Sequence, residues 1–144
     1  MTNRVVRDII RRRDLVRTKP TASVRDAARE MDQHRCGSIL VCEKGRLAGI
    51  FTERDLLTRV VAQGLDPDAT PLKEVMTPNP DTIEAGDFVR DALRKMDEGA
   101  FRHLPVMEGG EIVGVVSIRD MPLADVAELQ PELEARHTLS ECLR

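Results

Sequence analysis

Aromatic residues are scarce in this chain of 144 residues, which has three Phe and no Trp or Tyr. A surface that stacks nucleic-acid bases on aromatic rings is therefore not expected. The interior must instead be built from aliphatic residues and methionine. Because 41% of the residues are hydrophobic, the chain can still bury the core of one compact domain.

The sequence also lacks long apolar runs and a cysteine framework. No stretch approaches the roughly 18 apolar residues of a membrane helix, and the arginine-rich start has no apolar signal-peptide core. The three cysteines are an odd number without disulfide or metal-ligand spacing, and the three histidines lie far apart. Cys36 and Cys42 are interpreted as inert thiols of the core. We therefore expect a cytoplasmic protein without a metal site or a membrane partner.

Charge is nearly balanced overall but is unevenly placed. Twenty-two Lys and Arg residues against 25 Asp and Glu residues give a net charge of -3, so no global field draws the protein to nucleic acid. Residues 1–20 carry seven basic and two acidic residues, a local +5, whereas residues 122–144 carry five acidic and two basic residues, a local -3. The basic segment either forms a solvated helix face or helps to receive phosphate.

An internal repeat organises the chain. When the sequence is shifted by 65 positions, residues 24–55 align with residues 89–120 without a gap, and 13 of the 32 pairs are identical. Shuffled sequence of ordinary composition would give roughly two identities. The two segments are therefore copies of one unit.

Hydrophobic spacing assigns the same series of elements to each copy. Amphipathic helices begin at Val24 and Val89, each with apolar residues at i, i+3, i+4 and i+7. Two strands joined by a Gly-containing turn follow, and a second helix is predicted to open at Thr52 or Ser117. The predicted strands cover residues 15–18, 39–42, 47–51, 82–83, 104–107 and 112–116.

The predicted fold class is α/β of the α+β type, with two β-α-β-β-α repeats, 15–61 and 81–127, related by pseudo-twofold symmetry. Units of roughly 60 residues are marginal alone, so we expect the halves to face each other through their sheets. Such packing would bury a shared core and leave two equivalent clefts. The flanking segments are predicted as an amphipathic helix (1–14), a Pro- and Gly-rich linker (62–80) and a C-terminal tail (128–144) that forms a weak helix or frays.

Both repeats carry the pattern Gly-x-x-Thr/Ser-x-Arg-Asp where the second strand meets the second helix, at residues 49–55 and 114–120. A hydroxyl at a helix start can cap a backbone N–H or bind a ligand, and the free N–H groups there favour an anion. The acid can accept hydrogen bonds from a ribose diol, and the arginine can pair with phosphate. The same residues would also form a capping box. Their retention in both copies favours a ligand site, and capping does not exclude it.

This repeat, ending in G-x-x-[ST]-x-x-D, resembles the CBS domain family, named for cystathionine β-synthase, over roughly residues 15–121. The resemblance implies a stand-alone pair, or Bateman module, that binds an adenosyl ligand in its clefts and commonly forms a homodimer. The ligands implied are AMP, ADP, ATP, NAD(H) and S-adenosylmethionine, bound as regulators of a target in trans. No nucleophile elbow, P-loop or catalytic carboxylate pair is present, so neither enzyme activity nor a catalytic cofactor is expected.

Carried over position by position, the resemblance implies sixteen nucleotide-binding residues. Asp55 and Asp120 would bind ribose hydroxyls, Thr52 and Ser117 would bind ribose or phosphate, and Val16 would touch the adenine. The remaining residues, which would line the base and the phosphate, are Cys36, Gly37, Ser38, Ile39, Arg54, Phe101, Arg102, His103, Leu104, Pro105 and Arg119.

The two copies are not equal in sequence. Arg102 and His103 align with Gly37 and Ser38, so phosphate-side cations at this position come from the second repeat alone. Pro122 would cost a helix that began at Ser117 about 3 kcal/mol, so this helix must start later or differ in geometry.

Two other functions stay open on the sequence. The main alternative is a protein-protein interaction or dimerisation scaffold with vestigial clefts. Nucleic-acid binding by the basic segment is the third possibility, with the short arm and the missing aromatics against it.

Overall fold

Two small sheets and four helices form the fold in the computed structural model, which describes residues 3–10 and 15–142, with side chains to residue 138. The first repeat contains β1 (Arg17–Thr18), α1 (Val24–His34), β2 (Ser38–Glu43), β3 (Arg46–Thr52) and α2 (Glu53–Asp55), which continues as a π-helix over Leu56–Val61. A short strand, β4 (Thr77–Pro78), follows. The second repeat contains β5 (Ile83–Glu84), α3 (Val89–Gly99), β6 (His103–Glu108), β7 (Glu111–Ser117) and α4 (Leu123–Cys142).

The two sheets repeat one pairing scheme, which confirms the predicted α+β class and the β-α-β-β order of each copy. The first sheet has the order β1-β2-β3-β4 and the second has the order β5-β6-β7. In each, a parallel pair is followed by an antiparallel hairpin, and the register shifts at the same place, between Val41 and Cys42 or between Val106 and Met107. The predicted linker supplies β4, which pairs with β3.

Both hairpins close through two-residue turns in the left-handed region. The turn residues are Lys44 and Gly45 in the first repeat, at φ 52° and 75°, and Gly109 and Gly110 in the second, at 60° and 82°. Two successive positive φ angles suit the right-handed twist of the strands. Lys44 adopts a conformation that costs a residue with a Cβ atom, so this turn is the less favourable of the two.

The segments that precede the repeats cross over to the opposite repeat. A 3-10 turn at Val6–Asp8 packs on the core of the second repeat, and a matching 3-10 turn at Leu72–Glu74 packs on the core of the first. Single antiparallel bridges, Val5 to Phe88 and Ser23 to Pro71, accompany them. This exchange ties the two repeats together.

The core lies mainly within each repeat rather than in the single shared core that was expected. Most buried hydrophobic residues of the described chain form two clusters, one between each sheet and its helices. On the other face of the sheets, Leu40 pairs with Ile50 and Pro105 pairs with Val115. Leu40, Ile50 and Pro105 are buried but belong to neither cluster, since side chains alternate between the two faces of a strand.

Two flanking segments differ from prediction. Residues 3–10 form a bridge and one 3-10 turn rather than an amphipathic helix, because Val6 and its neighbours are tied to the second repeat. Residues 1–2 and 11–14 of the predicted helix lie outside the described chain. At the other end, α4 crosses the predicted boundary at residue 128. It is held on α3 by ion pairs of Arg94 with Glu132 and of Arg136 with Asp97, and by a hydrogen bond between His137 and Asp97.

Pro122 explains the different junction in the second repeat. A 3-10 turn covers Ile118–Asp120, Met121 is extended, and α4 begins only at Leu123. Proline directly before a helix loses no helical hydrogen bond. In the first repeat, by contrast, helical structure starts at Glu53, directly after Thr52.

Candidate functional site

Two clefts contain residues of both repeats. The larger cleft, of about 820 Å³, includes the junction of the first repeat and the start of β6 in the second. The smaller cleft, of about 310 Å³, includes the junction of the second repeat and the residues just before β2 in the first. The predicted pair of clefts is present, but their volumes are unequal.

Thirteen of the sixteen predicted residues line these clefts. The larger cleft brings together Thr52, Arg54, Asp55, Phe101, Arg102 and His103. The smaller cleft brings together Val16, Cys36, Gly37, Ser38, His103, Ser117, Arg119 and Asp120. Each cleft thus combines a hydroxyl, an arginine and an acid from one repeat with the start of a strand from the other.

Ile39, Leu104 and Pro105 line neither cleft in the described part of the chain, so the structure does not bring them together with the other predicted residues. Ile39 and Leu104 are buried in the helix-covered clusters of their own repeats, because their side chains point to the face opposite Ser38 and His103. Pro105 lies on the face opposite Leu104, but it is buried farther along β6, where it pairs with Val115.

Both acids cap the backbone as well as lining a cleft. The amide of Thr52 donates to Oδ2 of Asp55 at 3.0 Å, and the amide of Ser117 donates to Oδ2 of Asp120 at 2.9 Å. The other carboxylate oxygen, Oδ1, has a different environment in the two acids. Oδ1 of Asp55 lies 3.5 Å from Nε of Arg59, whereas no described residue donates a hydrogen bond to Oδ1 of Asp120. The second repeat therefore offers the more available acceptor.

The hydroxyls also take part in capping. The amide of Asp55 donates to Oγ1 of Thr52 at 3.2 Å, and the amide of Arg119 donates to Oγ of Ser117 at 3.2 Å. A hydroxyl oxygen that accepts one such bond still carries a proton to donate. Capping leaves both side chains able to contact a ligand.

Arginines surround the larger cleft, but they differ in how firmly they are held. Nη1 of Arg59 donates to the carbonyls of Val75 and Met76, and Nη1 of Arg54 donates to the carbonyl of Ala100 across the repeats. Arg102 is exposed, and its guanidinium makes no hydrogen bond or ion pair with a described residue. It is the most available cation for a phosphate.

His103 lies at the wall between the clefts and lines both of them. Burial lowers the pKa of His103 below its ordinary value, and Arg119 and Arg102 lower this pKa further, against the opposing charges of Glu53 and Asp120. The imidazole is therefore mainly neutral at pH 7. It can exchange hydrogen bonds with a ligand, but it supplies less positive charge than the sequence suggested.

The basic N-terminal segment does not extend its described arginines into the clefts. Nε of Arg4 lies 3.3 Å from Oδ2 of Asp125, and Nη2 of Arg7 lies 2.8 Å from Oε1 of Glu108. Both ion pairs fasten the segment to the second repeat. Arg11, Arg12 and Arg13 lie outside the described residues.

Several lining residues were missed by the sequence analysis. Arg35, Glu53 and Val115 line the smaller cleft, and Arg59 and Asp81 line the larger one. Asp81 stands 65 positions after Val16, so the repeat alignment could have identified it. Glu53 aligns with an isoleucine, and no repeated pattern pointed to it.

Other sites find no support in the described part of the chain. No group of three or more His, Cys, Asp or Glu side chains is placed to hold a metal ion. Over the same residues, no helix has the length and apolar character needed to cross a membrane. Cys36 and Cys42 are half-buried thiols that form no disulfide with a described residue, and burial raises the pKa of Cys42.

Comparison with known families agrees with the repeat. The model of the CBS domain matches twice, over residues 6–62 and 72–128. The chain belongs to the CBS domain family. The two matches begin at residues 6 and 72, where the two 3-10 turns begin. The segments that cross to the opposite repeat are therefore part of the CBS domain as the family model defines it.

Relatives of this CBS pair include plant and archaeal proteins. CBS domain-containing protein CBSCBSPB3 of Arabidopsis thaliana is 42% identical over 97 residues, which are 67% of this chain and 17% of that protein. A CBS domain protein of Pyrobaculum aerophilum, solved in complex with AMP, is 33% identical with a TM-score of 0.78, covering 88% of this chain and 98% of the other. A conserved protein of Pyrococcus horikoshii is 31% identical with a TM-score of 0.77, covering 83% and 90%. The chain spans about a fifth of the Arabidopsis relatives it matches.

Proposed function

We propose that this CBS pair is a regulatory module that senses an adenosyl nucleotide in its two inter-repeat clefts. The observation that carries the proposal is the convergence, in each cleft, of a hydroxyl and an acid from one repeat with the start of a strand from the other. The acid would accept hydrogen bonds from the ribose hydroxyls, and the neighbouring arginine would pair with phosphate. Regulation rather than catalysis is proposed, acting on a target in trans within the cytoplasm.

The AMP complex of the Pyrobaculum relative supports this class of ligand. The two clefts of this protein suit an adenosyl nucleotide in different ways. Val16 gives the smaller cleft a buried apolar wall for a base, whereas Asp81 occupies the equivalent place in the larger cleft. Arg102 and Arg54 make the larger cleft the better receiver of a phosphate chain.

The test is a thermal-shift panel of AMP, ADP, ATP, NADH and S-adenosylmethionine. A ligand at a hundredfold excess over its dissociation constant should stabilise the fold by about 2.7 kcal/mol, which raises the unfolding temperature by several degrees. The double variant Asp55→Asn, Asp120→Asn should lose most of this shift. If no compound at millimolar concentration changes the unfolding temperature of the natural protein, the sensor proposal is refuted.

Self-association is a second function favoured by one specific observation. Leu57 and Val61 in the π-helix and Leu65 just after it are exposed hydrophobic residues, at 62%, 64% and 42%. We propose that these apolar side chains pair with another copy to form a homodimer. Leu57→Lys with Val61→Lys should convert the dimer to a monomer in light scattering, and an unchanged mass would contradict the proposal.

A further inference from the structure

Two side chains are shared by both clefts: Glu53, the first residue of α2, and His103, the first residue of β6. They meet at Gly37, where an ideal Cβ would lie 3.2 Å from Oε1 of Glu53 and 3.2 Å from Nε2 of His103. Their counterparts in the repeat, Ile118 and Ser38, are not shared by the clefts. The wall between the clefts is thus polar and breaks the pseudo-twofold symmetry.

Glu53 carries a charge that its surroundings balance only loosely. Its Oε1 lies 3.6 Å from Nη2 of Arg119, and the two side chains are 57% and 79% exposed. An ion pair of this kind is weak and is readily exchanged for another partner. His103 does not balance the charge, since burial lowers its pKa and leaves the ring mainly neutral at pH 7.

We propose that Glu53 couples the two clefts, so that a phosphate-bearing ligand in one cleft weakens the binding of a second in the other. This inference rests on the nucleotide function proposed above. A phosphate in the smaller cleft that takes Arg119 as its partner leaves the carboxylate of Glu53 uncompensated at the wall of the larger cleft. The carboxylate then repels a second phosphate there. Linkage requires the same effect in the reverse direction.

The size of the effect follows from Coulomb's law. A unit charge about 8 Å from a phosphate, at an effective dielectric constant of about 40, changes the binding constant by about fivefold. We therefore expect the second AMP to bind at least about fivefold more weakly than independent clefts would allow. Adenosine, which has no phosphate, should show no such penalty from Glu53.

Isothermal titration calorimetry with AMP and with adenosine tests this on the full chain. Glu53→Gln keeps the shape of the side chain but removes its charge, and Glu43→Gln is a matched control at an exposed position outside both clefts. Glu53→Gln should strengthen AMP binding and make the dissociation constants of the first and second AMP more alike. Glu43→Gln should titrate like the natural protein. If the natural protein binds one AMP, Glu53→Gln should gain the second.

Two independent, equivalent AMP sites in the natural protein would overturn the coupling. The coupling would also be overturned if Glu53→Gln bound AMP with the same stoichiometry and affinities as Glu43→Gln, whether one AMP binds or two. The failure of the underlying function looks different, because then neither AMP nor adenosine would produce binding heat with any of the variants. That result would remove the coupling proposed for AMP, and if no compound of the thermal-shift panel stabilised the protein either, it would refute the sensor proposal as well.

Discussion

Asp120 gives the sharpest mutational test of ligand recognition, because its two carboxylate oxygens have different roles. Oδ2 accepts the amide hydrogen of Ser117 at 2.9 Å, while Oδ1 accepts no hydrogen bond from a described residue. Asp120→Asn retains an oxygen for the cap and removes the charge from the smaller cleft. A hydrogen bond to a charged group contributes about 1.5–3 kcal/mol. AMP binding at this cleft should therefore weaken by about tenfold to 150-fold.

Calorimetric titration with AMP measures the loss, and Asp87→Asn is the matched control. Oδ2 of Asp87 accepts the amide hydrogen of Glu84 at 3.1 Å in the same i, i+3 geometry, outside both clefts. The ligand-free unfolding temperature of Asp120→Asn should stay within about 2 °C of the natural protein, since the cap is retained. An AMP isotherm indistinguishable from that of Asp87→Asn would refute the role of Asp120.

Three further predictions concern the stability of the fold. A Cβ on Gly49 would lie 2.8 Å from the carbonyl oxygen of Thr77, whereas a Cβ on Gly114 would meet no atom closer than 3.3 Å. Gly49→Ala should therefore lower the free energy of unfolding by about 1–3 kcal/mol and Gly114→Ala by clearly less in urea denaturation; equal losses would contradict this. Lys44→Gly should raise the same free energy by about 1 kcal/mol, because it relieves a left-handed residue, and a loss would show that the turn is not strained. Because the folded-state pKa of His103 is lowered, the unfolded chain takes up this proton first as pH falls below about 6.5, and stability should fall with it. His103→Asn should flatten that part of the pH profile, and an unchanged slope would assign it to other groups.

The repeat made much of the fold predictable. Alternating and helical periodicities are local signals, so both hairpins and both amphipathic helices could be placed from the sequence. The period of 65 residues then related Asp55 to Asp120 and Thr52 to Ser117. Gly at the second position of a two-residue hairpin turn also indicates the geometry of that turn.

What the sequence analysis missed depends on contacts between distant segments. The 3-10 turns at Val6–Asp8 and Leu72–Glu74 are too short to show a period, and their exchange between repeats is visible only in three dimensions. Consecutive residues of a strand face opposite sides, so a continuous run through Ile39 or Leu104 could not all line a cleft. The asymmetric charge of Glu53 was missed because no copy of it exists in the other repeat.

The most direct test is a crystal structure of the protein grown with AMP. The proposed function predicts AMP between the repeats, with ribose hydroxyls about 3 Å or less from the carboxylate of Asp120 or Asp55 and the phosphate near Arg119 or Arg102. AMP bound away from both clefts, or with its ribose turned away from these carboxylates, would contradict it.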